Sequence, residues 1–336
     1  MKAWRAIAVT VVLGVGGGGG CGVDPEVVQD VADQLGLSPE ELAAGAPADI
    51  AVDGSLLAVC DLGASDVNGE VPTLLPVPTI DEPLPARCDE AVRRAEVIDL
   101  CGPVTTTTSA ADTTSIAALL EGCGPGTCVL TLPAGRFVGD ASVSCAVIEG
   151  VGDDTLIRGT LSFNGPGLLA GVRVEADYGA VSAASDVFIT RTTLVAGYEA
   201  FGAGWDQDID VAICRSRLAA GYSGAGLSWS SKRLTVAGSS IVSCSEGVSL
   251  SWNSSDLHVA QNVIVAGYSG VSIHESVAVA VIGNVLWSAY DAVSISSPPT
   301  PDEYGRLVSG VLVRRNDVRR GALPASDAAL NIVIER

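Results

Sequence analysis

A repeat of 22 to 24 residues governs the second half of the chain. Its segments begin at Asp210, Arg233, Asp256 and Val279. Periods of this length are typical of solenoids, whereas a propeller needs about 40 residues or more and a leucine-rich repeat needs a leucine-asparagine signature that is absent here. One apolar position recurs at intervals of 24, 23, 23 and 22 residues: Leu194, Leu218, Ile241, Ile264 and Leu286. Three further columns share this register: Val248, Val271 and Val293; Leu250, Ile273 and Ile295; Gly224, Gly247 and Gly270.

Stacked short strands account for this period. Each turn would place its apolar residues inward, and identical positions would stack about 4.8 Å apart. The small and β-branched residues that dominate the composition suit such strands, and aromatic residues make up only 4%. Asn262, Asn284 and Asn316 share one corner, where their amides can bond along the stack. We therefore predict an all-β fold, a single-stranded right-handed parallel β-helix of about 8 coils over residues 111–336.

The entry to this β-helix has its own pattern. Thr113, Thr114 and Ser115 precede the apolar run Ile116–Leu120, which is typical of a short capped helix. The segments VLTLPAGRFVG and VIEGVGDDTLIRG follow. They resemble the first coils of pectate-lyase-like β-helices, whose asparagine ladders also resemble the corner described above. The resemblance implies that the helix plugs the open end of the solenoid. Residues 297–306 interrupt the repeat and are interpreted as a protruding loop.

The first 20 residues predict export. Lys2 and Arg5 precede the apolar run Ala6–Val15, which is too short to span a bilayer, and five glycines then lead to Cys21. This pattern predicts a signal peptide over residues 1–20. A cysteine after small residues resembles a bacterial lipoprotein signal, although Gly18 stands where that family usually has leucine. The resemblance implies that Cys21 is lipidated and anchors the protein to a membrane at the cell envelope or surface. A plain secretory signal is the alternative.

The nine cysteines indicate an oxidising compartment. Lipidation of Cys21 would leave an even number. Cys123 and Cys128 flank a Gly-Pro-Gly-Thr turn and are the predicted disulfide. The six cysteines of the N-terminal part allow 15 pairings, which stay open. Cys214 and Cys244 remain as a pair by subtraction only, and the repeat register makes that bond doubtful.

Residues 21–110 have a different composition from the repeat. Between positions 22 and 110 there are 17 acidic and three basic residues. A small helical hairpin is predicted over residues 24–45, with Gly36 as a stop and a capping box at Ser38–Glu41, and a further short helix at 89–99. We interpret the segment as an extended, acidic, partly disulfide-bonded spacer. The net charge of −20 argues against nucleic acid as a partner.

Catalytic residues are not evident on the outward side of the repeat. A hydrolase of this type needs paired carboxylates, and a lyase needs calcium-binding carboxylates with a basic residue. Glu199, Glu246 and Asp291 share a column, but the intervening coils carry serine, so the acids lie about 10 Å apart. This spacing favours solvated loops over an inverting acid–base pair. The predicted outward residues of one strand are Ser249, Ser251, Ser272, His274, Ser294 and Ser296.

No metal or cofactor is predicted. An acidic run of Asp206, Asp208 and Asp210 favours a surface turn over a cation site. No carboxylate is expected beside either His258 or His274, which favours surface or strand-side histidines over an acid or base.

The aromatic residues recur in register. Two interpretations stay open for them: a packing ladder in the interior or at a corner of the solenoid, or a platform on which sugar rings stack. The tyrosine column contains Tyr198, Tyr222, Tyr268 and Tyr290. The tryptophan column contains Trp205, Trp229 and Trp252. Together with His274, these are the candidate ligand-binding residues.

Two functions follow from this sequence. The first is a non-catalytic, exported and lipid-anchored surface or envelope protein that binds a glycan or another surface component. The alternative is a carbohydrate-active enzyme, a polysaccharide lyase or glycoside hydrolase of the pectate-lyase-like type. The missing carboxylate cluster favours the first. The sequence leaves the oligomeric state open.

Overall fold

A computed structural model shows an all-β parallel β-solenoid of about 9 turns, with four α-helices among the residues that it describes. The predicted fold class is therefore confirmed, with about one turn more than expected. The structure describes residues 25–47, 50–60, 70–80, 82–109, 115–123, 125–204, 208–228, 232–251, 255–296, 308–327 and 332–335. The predictions for the signal peptide, Cys21, the three tryptophans of the column and the loop at 297–306 lie outside these residues.

The secondary-structure elements are short and numerous. The helices are α1 Pro25–Leu35, α2 Pro39–Ala43, α3 Glu90–Cys101 and α4 Ile116–Glu121, with 3-10 turns at Gly54–Leu57, Ala86–Cys88 and Gly152–Asp154. The strands are β1 Val104–Ser109, β2 Thr127–Thr131, β3 Gly135–Val138, β4 Ala141–Val143, β5 Ala146–Glu149, β6 Thr155–Arg158, β7 Leu161–Phe163, β8 Gly167–Ala170, β9 Arg173–Ala176, β10 Gly179–Ala183, β11 Val187–Thr190, β12 Thr193–Ala196, β13 Glu199–Gly204, β14 Val211–Cys214, β15 Arg217–Ala220, β16 Ser223–Ser228, β17 Lys232–Ala237, β18 Ser240–Ser243, β19 Glu246–Ser251, β20 Ser255–Ala260, β21 Val263–Ala266, β22 Ser269–His274, β23 Val277–Ile282, β24 Val285–Ser296, β25 Ser309–Arg314, β26 Asp317–Ala322 and β27 Ile332–Ile334.

These strands stack into three faces along the solenoid. Face 1 is an eleven-stranded parallel sheet ordered β1-β2-β5-β8-β11-β14-β17-β20-β23-β25-β27. Face 2 runs β3-β6-β9-β12-β15-β18-β21-β24, and face 3 runs β4-β7-β10-β13-β16-β19-β22-β24. The long strand β24 belongs to both faces and joins them into one sheet of 16 strands, in which β26 pairs with β24 off this path.

The predicted apolar columns form the interior. Leu194, Leu218, Ile241, Ile264 and Leu286 pair in sequence on face 2, and each is fully buried. The column that contains Val248 and the column that contains Leu250 likewise stack on face 3. Side chains at equivalent positions therefore pack on each other from coil to coil, as the period predicts.

One end of the interior is closed by α4. The Ser115 side chain accepts a hydrogen bond from the Ala118 backbone N–H and caps the helix. Ile116 and Leu119 are buried in the cluster that fills the solenoid. The predicted plugging helix is confirmed.

A ladder of polar side chains runs through the interior of one corner. Asn284 Oδ1 accepts from the backbone and side-chain N–H groups of Asn262, and Asn316 Oδ1 does the same for Asn284, at 2.9–3.0 Å. The ladder continues with shorter residues, because Asn262 bonds to the backbone of Ser239 and Ser239 Oγ to that of Ser216. Each rung satisfies backbone groups that the corner would otherwise bury without a partner.

The segment that the sequence predicts as a spacer instead lies on the solenoid. We call residues 25–101, in their described parts, the cover segment. Its first helices, α1 and α2, pack on the outward side of face 1 over the late coils, where Val31 and Leu42 contact a cluster that includes Ile282 and Leu312. The capping box predicted at Ser38 and Glu41 is present. The apolar stripe of these helices is therefore buried against the sheet.

The middle of the cover segment packs on face 2. Ile50, Leu57 and Leu75 form a buried cluster with outward residues of this face that include Val265 and Trp287. The third part returns to face 1, where Val97 of α3 covers early coils at Phe188 and neighbouring residues. The cover segment thus runs from the late coils back to the early ones before the chain enters the solenoid.

The corner between face 1 and face 2 is formed by residues with a left-handed backbone conformation, and the cover segment passes close to several of them. Gly238 would bring a Cβ to 3.0 Å from Leu84, and Gly283 would bring one to 2.7 Å from the Ala44 carbonyl. At both positions an added side chain would crowd the cover segment. Larger corner residues instead bond to it through their side chains, as Arg191 does to Glu90 and Arg315 to the Ala43 carbonyl. The corner residues, all with φ between 49° and 62°, are Gly171, Arg191, Arg215, Gly238, Gln261, Gly283 and Arg315.

The described residues contain four disulfides, and three of them join the cover segment to the solenoid. Cys60 pairs with Cys244 and Cys88 with Cys214, across 184 and 126 residues of sequence. Pairing of Cys214 with Cys244 by subtraction is therefore wrong. The other bonds are Cys101–Cys145 and Cys123–Cys128, the second of which was predicted from its turn.

Candidate ligand-binding face

Face 3 differs from the other two because its outward residues are small and polar. Ser249 and Ser272 are partly exposed, while Val248 and Leu250 beside them are buried, so the predicted inward and outward assignments are confirmed. The described parts of the cover segment build their buried clusters on faces 1 and 2. The outward row of face 3 is Ser142, Ser162, Ser182, Gly202, Gly226, Ser249, Ser272 and Ser294.

A tyrosine ladder stands at the corner between face 2 and face 3. The rings of Tyr178 and Tyr198 are parallel within 2° with centroids 4.7 Å apart, and those of Tyr198 and Tyr222 lie 4.9 Å apart at 8°. Tyr178 is 70% exposed and Tyr222 is half-buried. Tyr178 was not assigned to the column from the sequence, because it precedes Tyr198 by only 20 residues rather than by the regular period.

The same position continues through the later coils with one interruption. Ser245 donates its N–H to the Tyr222 carbonyl, and Tyr268 donates to the Ser245 carbonyl, so Ser245 occupies the next rung. Tyr268 and Tyr290 follow with centroids 5.2 Å apart at 44°. Both of these rings are 51% exposed. The column therefore lies at a corner of the solenoid and not in its interior. Packing at the corner and ligand binding are both compatible with this position.

An acidic column lies directly beside the tyrosines. The register is the predicted one: Glu199 pairs with Ser223, Ser223 with Glu246, and so on through Ser269 to Asp291. The Glu199 carboxylate folds back onto face 3, where it occupies the space above Gly202 and Gly226, since a Cβ at either glycine would clash with its oxygens. The two glycines in the serine row therefore provide the seat for this carboxylate.

Burial changes the acidity of these groups. Burial raises the pKa of Glu199 to about 7, and the negative charge of Glu246 adds to the effect. The pKa of Tyr222 is raised by burial first and then by the charge of Glu246, and that of Tyr198 is raised by burial and by Tyr178. At pH 7 such a carboxyl group is about half protonated, and its protonated form can donate a hydrogen bond as well as accept one.

The two histidines have carboxylate neighbours, which corrects the prediction that neither does. His274 Nδ1 shares a hydrogen bond with Ser296 Oγ at the far edge of face 3, and its Nε2 lies 3.7 Å from Glu275. His258 lies under α2 with its Nδ1 3.8 Å from Glu41, and burial lowers its pKa to about 4. Only His274 lies on face 3, and it is several coils from Glu199.

The acidic turn before β14 is used for structure. Asp210 lies 3.4 Å from Arg93 of the cover segment and 3.7 Å from Arg233, and Asp208 lies 3.8 Å from Arg233. The pair with Arg93 joins α3, the last part of the cover segment, to the solenoid, whereas the pairs with Arg233 lie within the solenoid. Asp206 lies outside the described residues. Within the described residues, no group of three or more potential metal-ligating side chains occurs.

Comparisons with protein-family models, curated proteins and solved structures gave no match to this chain. Among the described residues, no helix has both the length and the apolar character that a membrane span requires.

Proposed function

We propose that this protein is an exported, lipid-anchored surface or envelope protein that binds glycan without cleaving it, at face 3 and the tyrosine ladder beside it. The observation that carries the proposal is the tyrosine ladder, because its stacked rings are exposed at a corner and do not pack in the core. Sugar rings combine an apolar face with hydroxyl edges, and tyrosine side chains offer the matching apolar body and polar tip.

The rest of face 3 supports a polymeric ligand. Its outward serines and glycines form a flat surface on which an extended chain can lie without displacing large side chains. Carboxylates at Glu199 and Glu246 line the same edge, where they can bond to hydroxyl groups. The net charge of −20 favours a neutral glycan over an acidic one, because like charges repel.

The proposed lipid anchor has a consequence for orientation. α1 begins at Pro25 and packs on β23 and β25 of the late coils. Four residues reach at most about 14 Å, so a lipid on Cys21 would hold the late coils near the bilayer. The cover segment would then hold the solenoid close to the membrane and would not act as a long tether between them.

A glycan array tests the binding. Full-length protein is compared with the Tyr178→Ala/Tyr198→Ala/Tyr222→Ala variant and with Val92→Ala, which removes an exposed apolar side chain of α3. We expect a neutral glycan to be bound by the wild type and by Val92→Ala, and to be lost in the triple variant. Equal binding by all three proteins, or none by the wild type, would contradict the proposal. Palmitate labelling that disappears in Cys21→Ala tests the anchor.

A second candidate function rests on Glu199. One carboxyl group with a pKa of about 7 beside another carboxylate is the pattern of an acid and base pair. Their two-coil separation of about 9.6 Å is at the upper limit of the range for inversion. Release of reducing ends from a neutral glycan panel, abolished in Glu199→Gln and in Glu246→Gln, would establish this activity in place of simple binding.

A further inference from the structure

The tyrosine ladder has one missing rung. Tyr222 and Tyr268 are separated by the coil of Ser245, which occupies the tyrosine position according to its backbone hydrogen bonds of 3.1 and 2.9 Å. Ser245 is partly exposed, and Tyr268 is 51% exposed. A rung with a small side chain between two aromatic rungs leaves a slot at the corner. On the side of face 2 this slot is bordered by the cover segment, through the Cys60–Cys244 disulfide and the Glu70 carbonyl beside Gly221.

The width of this slot follows from the solenoid. Coils stack about 4.8 Å apart, so two coils place Tyr222 and Tyr268 about 9.6 Å apart at the backbone. The Tyr222 ring lies parallel to Tyr198 at 4.9 Å, and its other side faces the coil of Ser245. A single flat ring placed in the slot would therefore lie about one coil spacing from each neighbour. Tyr178 and Tyr198 stack at a similar spacing, with their ring centroids 4.7 Å apart.

The edges of the slot are polar. Glu246 follows Ser245 directly in the chain, and its negative charge acts on the Tyr222 hydroxyl, which it makes harder to ionise. A ligand for this slot therefore needs two apolar ring faces and hydroxyl groups around its edge. A neutral pyranose has both, whereas a uronic acid would bring a negative charge to Glu246.

We infer that the gap at Ser245 is a subsite for one pyranose ring of a neutral glycan, with Tyr222 and Tyr268 on its two faces and Glu246 accepting hydrogen bonds from its hydroxyls. This subsite deepens the proposed glycan binding and rests on it. It also divides the ladder into two roles: the stacked tyrosines form a continuous surface, and the gap holds a single residue of the polymer.

The test is to complete the ladder. Ser245→Tyr fills the slot with the side chain that the flanking coils carry at this position, and Ser245→Ala keeps it open as the matched control. The probes are hexasaccharides of β-1,4-linked glucose, β-1,4-linked N-acetylglucosamine and α-1,4-linked glucose, titrated into full-length protein by calorimetry. We expect Ser245→Tyr to weaken binding by about tenfold or more and Ser245→Ala by less than about twofold.

Two further variants separate the outcomes. Glu246→Gln should weaken binding by about tenfold while the melting temperature stays within a few degrees, which keeps the subsite testable if Ser245→Tyr fails to fold. Wild-type affinity in both Ser245→Tyr and Glu246→Gln would overturn the subsite but leave glycan binding by the rest of the ladder in place. A wild-type protein that binds none of the three hexasaccharides would overturn both proposals.

Discussion

Face 1 and face 3 are built from the same kind of strand and differ in what they show to the outside. On face 1 the outward residues are apolar, such as Phe188 and Leu312, and the cover segment buries them. On face 3 they are serine and glycine, and the described cover segment packs elsewhere. The inward residues of the two faces fill one common core. The inward columns therefore determine the solenoid, whereas the outward rows determine what each face binds.

Each of these two faces buries a titratable group, and burial shifts the pKa values of the two groups in opposite directions. His258 lies under the cover on face 1, where burial lowers its pKa to about 4. Glu199 lies on face 3, where burial raises its pKa to about 7. Burial disfavours the charged form in both cases, which is the cation of histidine and the anion of glutamate.

Breaking the Cys60–Cys244 disulfide, which joins the cover segment to the solenoid, should have the largest effect on stability. Replacement of Cys60 and Cys244 by serine opens a loop of 184 residues, which should cost about 3–5 kcal/mol of unfolding free energy in the chain-entropy model. The matched control is Cys123→Ser/Cys128→Ser, whose separation of 5 residues predicts a loss of about 2 kcal/mol. Guanidinium unfolding measures both. Equal losses would show that the long bond adds nothing to docking of the cover.

Truncation of an outward residue should distinguish the covered face from the bare one. Leu312→Ala leaves a cavity beneath α1 and should cost about 2–5 kcal/mol, since Leu312 is fully buried there. Ser294→Ala on face 3 should change the unfolding free energy by less than about 0.5 kcal/mol. Thermal and chemical unfolding of the two variants gives the comparison. A small effect at Leu312 would mean that the cover does not stay docked in solution.

Glu199 on face 3 and His258 on face 1 should make the stability of the protein change with pH in opposite directions. Glu199 has a folded pKa of about 7 against a model value of 4.5, so the folded state binds the extra proton and stability falls as pH rises between these values. His258 has a folded pKa of about 4 against 6.5, so the unfolded state binds more protons and stability rises over that range. In the wild type the two slopes oppose each other.

Single variants should reveal each slope. Glu199→Gln removes the glutamate contribution, so its stability relative to wild type should rise with pH between about 4.5 and 7. His258→Asn removes the histidine contribution, so its stability relative to wild type should fall as pH rises between about 4 and 6.5. Each change should amount to at most about 3 kcal/mol. Parallel curves for wild type and both variants would refute the assignment of opposite signs.

The smallest effect is expected at the ion pairs that join the cover to the solenoid. Arg191 lies 2.8 Å from Glu90 of α3, and both side chains are well exposed. Solvent screening limits such a pair, so Arg191→Ala should lower the unfolding free energy by less than about 1 kcal/mol. Raising the salt concentration should reduce the difference further. A loss as large as that of Leu312→Ala would mean that charge rather than apolar burial holds the cover.

The sequence predicted the parts of this molecule that repeat. The column from Leu194 to Leu286 specifies the register, and Ser115 and Ser38 mark helix starts by local capping chemistry. The docking of the cover segment was missed because most of it joins segments far apart in sequence, such as Leu42 with Ile282 and Leu75 with Val242, which no local pattern encodes. Face 1 did carry a sign of it: runs such as Val187–Ile189 are apolar at successive positions, as in strands that are buried on both sides.

The candidate site was predicted in part for the same reason. The positions of Tyr198, Tyr222 and Glu199 followed from the repeat. The seat of Glu199 over Gly202 and Gly226 did not, because it depends on how a side chain folds across a neighbouring coil. Tyr178 lies in a coil shortened to 20 residues, which a search at a fixed period passes over.

The path of the cover segment sets an order of assembly. Residues at the start of the chain leave the ribosome first, yet α1 and α2 dock on β23 and β25, which are among the last strands to be made. The earliest segment must therefore wait until nearly the whole chain has followed it, and Cys60 must wait for Cys244. Translation and docking run in opposite directions along this protein, so its outer layer is synthesised first and completed last.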